Sequence, residues 1–190
     1  MYELGKIRTF LSLNIDASVE PLAAEIQKRV KEQLGRHHVK WEDPAKFHLT
    51  LRFLGDIDED KIPELTGVLD RLKFDFEKID FTAKGIGFFP DSKYPNVVFI
   101  DLSESGSNTE KLVGFIDKII FNFGVRPEKK FIPHITIGRF KRDKRVKIES
   151  PVEIDFQPFN IEFSSYFLMQ SILQKEGSAH LVLNEFGFNA

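Results

Sequence analysis

The sequence predicts an α+β fold in which two similar lobes pack into one domain. Three observations predict it. Strand-length apolar runs outnumber the helical stretches. The order strand, helix, strand occurs twice, with Phe10 ahead of His48 in one copy and Phe99 ahead of His134 in the other. Each copy closes on a β-like run carrying a histidine and a threonine two residues apart, Phe47-His48-Leu49-Thr50-Leu51-Arg52-Phe53-Leu54-Gly55 and Pro133-His134-Ile135-Thr136-Ile137-Gly138-Arg139-Phe140. No linker rich in Gly, Pro or Ser separates the copies, so residues 1–190 are expected to form a single two-lobed domain.

The elements follow in order. Ile7 to Ile15 is apolar on both faces and reads as a central strand. Asp16 or Ser18 is placed to cap a helix from Val19 to Leu34, whose apolar positions Val19, Leu22, Ala23, Ile26 and Val30 keep helical spacing, and Gly35 stops it. Val39-Lys40-Trp41 is a short strand broken by Asp43-Pro44, with Trp41 expected beneath the first His/Thr strand, which ends at Gly55. A second helix spans Glu59 to Leu72, with Pro63 tolerated in its first turn. Phe76 to Ile86 is a strand or two, Gly85 to Pro90 a loop, and Asn96 to Leu102 a strong strand. The third helix runs from Asn108 to Phe123 and stops at Gly124. After the second His/Thr strand comes a basic turn, Lys141 to Lys147. Strands at Val152–Phe163, Tyr166–Gln174 and His180–Phe186 finish the chain, the last two joined as a hairpin through Lys175-Glu176-Gly177-Ser178.

Bulk composition narrows the function. Hydrophobic residues make up 42% and charged residues 29%, as in ordinary globular proteins, while Phe is abundant at 20 residues. There is no Cys, which excludes disulfides, thiolate nucleophiles and Cys-based zinc sites and fits a reducing, cytoplasmic location. The first ten residues lack the apolar run of a signal peptide, and no stretch has the length of a membrane span. A net charge of −2 argues against broad coating of nucleic acid but allows a local basic site.

Side chains alternate along a strand, so His48 and Thr50 share one face while Leu49, Leu51 and Phe53 take the other. His134 and Thr136 repeat the pattern against Ile135 and Ile137. Two imidazoles titrating near neutrality suit paired acid–base catalysis, one accepting a proton while the other donates. Displacement at phosphorus suits the pair, because attacking and leaving oxygens lie on opposite sides. Each Thr hydroxyl is placed to bind a non-bridging phosphate oxygen. A structural role for Thr and His in strands is the ordinary alternative for one copy, and the duplication weighs against it. A metal site fits poorly, since each copy offers one good ligand and Asp43 and Asp143 sit in turns.

The residues His48-Leu49-Thr50 with Arg52-Phe53-Leu54-Gly55, and Phe131-Ile132-Pro133-His134-Ile135-Thr136 with Arg139, resemble the 2H phosphoesterase superfamily, most closely the RNA 2′,3′-cyclic phosphodiesterases, or 2′-5′ RNA ligase family. The likeness spans nearly the whole chain, including Gly87-Phe88-Phe89-Pro90 and Gln170-Ser171-Ile172-Leu173 with Gly177. Two positions depart from the family pattern: Asn96, where relatives often have Arg, and His180, where they often have Tyr. The resemblance implies a bilobal fold of duplicated antiparallel sheets with flanking helices around a central cleft, and a reaction needing no metal or other cofactor. It implies hydrolysis of RNA 2′,3′-cyclic phosphate ends to 2′-phosphates, with His48 as proton donor and His134 as general base. The residues themselves do not distinguish those two roles. The reverse reaction would join ends through a 2′-5′ bond.

Supporting groups follow. Arg139 matches the family arginine five residues after the second His, and its planar cationic fork suits phosphate. Strict alternation places it opposite His134, so a bulge or strand end at Gly138 is required. Arg52 is in phase with His48 and is the lesser candidate. Lys141 to Lys147 is either a solvated turn or a patch for RNA phosphates. Phe88 and Phe89 are either core residues or a stacking surface for a base. His37, His38 and His180 receive no role. The expected partner is RNA, with no membrane, and the chain is expected to act as a monomer. The alternatives are a phosphodiesterase of small cyclic nucleotides or 2′-5′ oligonucleotides, and a non-catalytic RNA-binding module.

Overall fold

The computed structural model describes residues 5–35, 39–127, 130–141, 146–174 and 177–189. Among the described residues the order is β1 (Lys6–Asn14), α1 (Glu20–Leu34), β2 (Val39–Trp41), β3 (His48–Asp58), α2 (Ile62–Asp70), β4 (Ile79–Phe89), β5 (Val97–Glu104), α3 (Asn108–Phe121), β6 (His134–Phe140), β7 (Phe159–Phe163), β8 (Ser165–Gln174) and β9 (Gly177–Gly187). The strands form an α+β sheet ordered β7-β4-β5-β6-β3-β1-β8-β9, with β2 pairing β6 beside that path. Every strand pair is antiparallel.

The repeat is visible in the topology. β1, α1 and β3 make one half, and β5, α3 and β6 the other. Each helix buries one apolar stripe: Ala23, Ile26, Val30 and Leu34 on α1, and Leu112, Val113, Ile116 and Ile120 on α3. Burying each such Val, Leu or Ile side chain contributes about 1.5–3 kcal/mol, so the stripes fix how the helices sit. Gly35 and Gly124 follow the helices with φ of 57° and 79°, left-handed values that a glycine adopts without the Cβ strain. β3 and β6 meet at a single register pair, Leu49 opposite Ile135. The two halves therefore join between the two His/Thr strands.

Several boundaries differ from expectation. β3 continues past Gly55 to Asp58, because Gly55 (φ 75°) accommodates a register shift rather than a stop. Gly85 to Phe89 is strand, not loop: β4 pairs β5 as far as Phe89 opposite Val97. Of the run Val152–Phe163, only Phe159–Phe163 is strand. Neither Asp16 nor Ser18 caps α1 through its side chain; Asp16 Oδ1 instead accepts from the Ser18 amide at 2.8 Å, closing the preceding turn. Trp41 pairs with Gly138 of the second His/Thr strand, not with the first. Residues 142–145 of the basic run, His37 and His38, and the turn residues 175 and 176 lie outside the described residues. Among those described, no helix is long and apolar enough to cross a membrane.

Candidate active site

The first imidazole is presented by a tight turn. Asp43 Oδ1 accepts from the Ala45 amide at 3.2 Å and starts a 3-10 turn over Pro44–Lys46. Phe47 is buried, anchoring the chain as β3 begins. His48 Nδ1 then lies 2.8 Å from the Lys46 carbonyl. The second imidazole is held the same way: His134 Nδ1 is 2.7 Å from the Ile132 carbonyl. A carbonyl only accepts, so each Nδ1 carries the hydrogen and each neutral ring keeps Nε2 as its proton acceptor. Two residues separate donor from carbonyl in both copies, and the copies are tethered alike.

Leu49 and Ile135 are fully buried where the two strands meet, and Thr50 and Thr136 are half-buried beside their histidines. In an antiparallel pair with this register, His48 faces Thr136 across the junction and Thr50 faces His134. The strand pairing thus brings His48, Thr50, His134 and Thr136 to one patch.

Both arginines are placed by bulges. Along β6, Phe99 is opposite Thr136 and Val98 opposite Gly138, so Ile137 is an extra residue. Ile137 and Gly138 are both buried, and Arg139 emerges exposed. Its charge acts on His48, His134 and His180, and its Nε donates to Glu42 Oε1 at 3.1 Å. The bulge that Arg139 requires is therefore present, one residue before Gly138. Gly138 is needed for close packing: a Cβ there would sit 2.7 Å from Val39 Cγ1 and 3.0 Å from Trp41 Cε3. The Ile137 carbonyl accepts from the Glu42 amide at 3.1 Å and from Gln27 Nε2 at 2.8 Å, so α1 supports the bulge directly.

β3 shifts in the same place. Ser12 is opposite Thr50 and Leu11 opposite Arg52, leaving Leu51 as the extra residue. Arg52 consequently leaves the imidazole face. Its guanidinium forms a two-pronged ion pair with Asp117 of α3, Nε to Oδ1 at 2.6 Å and the second nitrogen to Oδ2 at 2.9 Å. Arg52 is thus held in an ion pair with Asp117, and parity fails there because the bulge resets it. Phe53, expected on the face of Leu49 and Leu51, is instead 64% exposed, with its ring 5.9 Å from Phe10.

Aromatic rings pack on each imidazole. His48 lies 5.3 Å from Phe10 and 5.3 Å from His180. His134 lies 5.0 Å from Phe89 and 5.1 Å from Phe99. Phe88, on the other face of β4, packs against the core. His180, without a role on sequence grounds, is brought into the site. The departure from the usual Tyr at that position is the one sequence signal for it. Phe10 and Phe99 also carry a signal, their places ahead of the two motifs, though the register puts Phe10 opposite Phe53 and Phe99 opposite Thr136.

Burial governs the electrostatics. Desolvation pushes His48 down to about 4, with the positive neighbours His180, Arg139 and His134 adding to it and the Lys46 carbonyl opposing. His134 and His180 are also lowered chiefly by burial. Asp101, opposite His134 in the register, works the other way on that ring, whereas the equivalent neighbour of His48 is the neutral Asn14. Among the described residues no group of three or more His, Asp or Glu side chains is placed to hold a metal ion. The patch offers two proton-carrying nitrogens, two hydroxyls and one guanidinium, a set suited to moving protons around an anionic, tetrahedral centre.

Residues 13–99 and 100–180 each match the family model described as LigT like Phosphoesterase, and each span contains one His-x-Thr. The chain is 34% identical over 188 residues to an RNA 2′,3′-cyclic phosphodiesterase of Thermotoga maritima, covering 96% of both chains. It is 30% identical over 185 residues to one of Methanocaldococcus jannaschii, covering 95% of this chain and 100% of that one. Among solved structures, a Thermus thermophilus protein superposes with a TM-score of 0.79 at 23% identity, covering 96% of this chain and 98% of that one. E. coli LigT complexed with 3′-AMP superposes with a TM-score of 0.78 at 17% identity, covering 97% and 99%. These two likenesses establish the fold.

Proposed function

The chain belongs to the LigT-like phosphoesterase family, and on that premise we propose that it hydrolyses RNA 2′,3′-cyclic phosphate ends to 2′-phosphomonoesters, passing protons through His48 and His134. One observation carries the reading: two imidazoles on neighbouring antiparallel strands, each fixed through Nδ1 to a backbone carbonyl two residues earlier.

His134 Nε2 takes a proton from water as its oxygen attacks phosphorus. The bond from phosphorus to the 3′ oxygen breaks, and His48 supplies the proton to that oxygen. The product keeps its phosphate on the 2′ oxygen, and the two rings have exchanged protonation. Thr50, Thr136 and Arg139 bind the non-bridging oxygens. The donor and acceptor roles follow the family pattern. Burial, and after it local charge, works against a proton on His48 in the free protein, so the negative charge of the bound cyclic phosphate supplies the pull that loads it. Run backwards, the same steps join a cyclic phosphate to a 5′ hydroxyl through a 2′-5′ bond.

The test is hydrolysis of an oligonucleotide ending in a 2′,3′-cyclic phosphate, in EDTA, by the wild type, His48→Ala and His134→Ala. Each variant is expected to lose at least about 100-fold in rate, in line with a single acid or base, while the wild type works in EDTA. Substantial activity in either variant overturns the two-histidine mechanism. Wild-type activity abolished by EDTA and restored by a metal overturns the metal-free reading.

A further inference from the structure

The site holds a third imidazole. His180 lies on β9 opposite Ser171 of β8. That hairpin reaches across to β2, close enough that a Cβ at Gly177 would sit 2.8 Å from Lys40 Nζ. The His180 ring meets His48 edge-on at 5.3 Å and Phe10 edge-on at 5.0 Å. His48, Phe10 and His180 therefore form a triangle of rings in mutual contact. His134, Phe89 and Phe99 form the matching triangle in the other half, with Phe89 stacked on Phe99 at 4.3 Å. Around His134 both companions are inert phenyl rings. Around His48 one companion takes up a proton.

The charged and titratable groups facing His180 are His48 on β3, Lys46 just before it, Glu42 after β2 and Arg139 on β6. Glu42 is the one acid among them, and it is already paired with Arg139 at 3.1 Å. A proton on His180 is thus poorly balanced and lies in ring contact with His48. Two imidazolium charges so close repel, and each opposes protonation of the other.

We propose that His180 is a positioning residue acting through His48: a proton on His180 holds His48 neutral, and its loss lets His48 take one up. This rests on the reading of His48 as a proton-transferring group, but its test needs no turnover. The His48 and His180 imidazole signals are titrated by NMR in the free, full-length protein, in wild type, His180→Gln and His48→Gln. The His48 midpoint is expected to rise in His180→Gln, because His48 takes up its proton beside an already charged His180, while the His180 midpoint moves less in His48→Gln, because His180 takes up its proton beside a neutral His48. A His48 midpoint that stays put or falls in His180→Gln overturns the proposal. If the Gln variant folds poorly, His180→Phe reproduces the ring arrangement around His134 and also lacks the charge. The two ways of failing are distinct. A raised His48 midpoint in a protein inactive on cyclic phosphates overturns the proposed reaction alone, and activity with an unmoved His48 midpoint overturns the coupling alone.

Discussion

Phe53 and Arg139 occupy equivalent places in the two halves. Each lies five residues beyond its histidine, and each returns to the imidazole side of its strand after one extra residue, Leu51 or Ile137. One half therefore ends its site in an exposed phenyl ring and the other in a guanidinium. The same bulges send Arg52 toward Asp117 and turn Arg139 toward the histidines.

That relationship separates the two arginines by experiment. Arg139→Ala is expected to lower kcat/KM by about 10- to 100-fold, the loss of one or two charge-assisted hydrogen bonds to phosphate. Arg139→Lys should recover only part of it, since an ammonium lacks the planar fork. Arg52→Ala is expected to lower unfolding free energy by about 2 kcal/mol, through the lost half-buried pair with Asp117, with a far smaller effect on kcat/KM. Steady-state kinetics and denaturant unfolding on the same three variants check this. An Arg52→Ala enzyme as impaired as Arg139→Ala in kcat/KM, at unchanged stability, would contradict the assignment.

Much of this arrangement was legible in the sequence, and what was not has a physical cause. Parity put His48 with Thr50 and His134 with Thr136, because the side-chain period of two holds over three residues. It failed for Arg52 and Phe53, because a bulge changes the phase and no residue in Leu51-Arg52 marks one. Gly138 did mark the second bulge, since glycine inside a strand often signals one. His180 was out of reach, because its place depends on which strand lies beside β1. Pairing partners distant in sequence leave no local pattern.

Acid should destabilise the protein through the half-buried histidines. Above the ordinary imidazole value of 6.5, His48 is neutral in both folded and unfolded chains and contributes nothing to the pH dependence. As pH falls below 6.5, the unfolded chain binds a proton that folded His48 refuses until about pH 4. Stability is therefore present above that window and is lost across it, by up to about 3 kcal/mol for this one group. His134 and His180 are shifted in the same direction and add to the loss. Urea midpoints between pH 7 and pH 4 should fall steeply in wild type and less steeply in His48→Gln. Parallel curves for the two proteins would show that His48 is not held neutral in the folded protein.

Gly87 sits directly beneath the ring that flanks His134. A Cβ there would lie 2.3 Å from both Cε2 and Cζ of Phe99, and Phe99 stacks on Phe89 and packs edge-on against His134. The ring must move to admit even one methyl. Gly87→Ala is expected to cost about 1–3 kcal/mol, the range for overpacking a filled core. It should also lower kcat/KM, because the displaced ring borders His134 and belongs to the residue opposite Thr136 in the register. Thermal unfolding and steady-state kinetics measure both. Wild-type values for the two together would mean that Phe99 does not hold His134.

Gln27 shows how a helix outside the site can support the bulge that turns Arg139 toward the histidines. Its Nε2 donates to the Glu42 carbonyl at 2.7 Å and to the Ile137 carbonyl at 2.8 Å. Ile137 is the extra residue of the β6 bulge, and a bulge leaves backbone groups that the strand ladder does not use. Gln27→Leu keeps much of the side-chain volume while removing both donors. Two half-buried carbonyls then lose a partner, at about 1–3 kcal/mol in stability. If the bulge relaxes, alternation returns Arg139 to the face away from His134, so phosphate binding should weaken together with stability. Gln27→Glu, which keeps length and volume but carries no N–H donor when ionised, should behave like Gln27→Leu or worse. Measured kcat/KM in Gln27→Leu should therefore fall toward that of Arg139→Ala, and the double variant Gln27→Leu/Arg139→Ala should be little worse than Arg139→Ala alone, since both act on one contact. Fully additive losses would show that Gln27 acts through something other than Arg139.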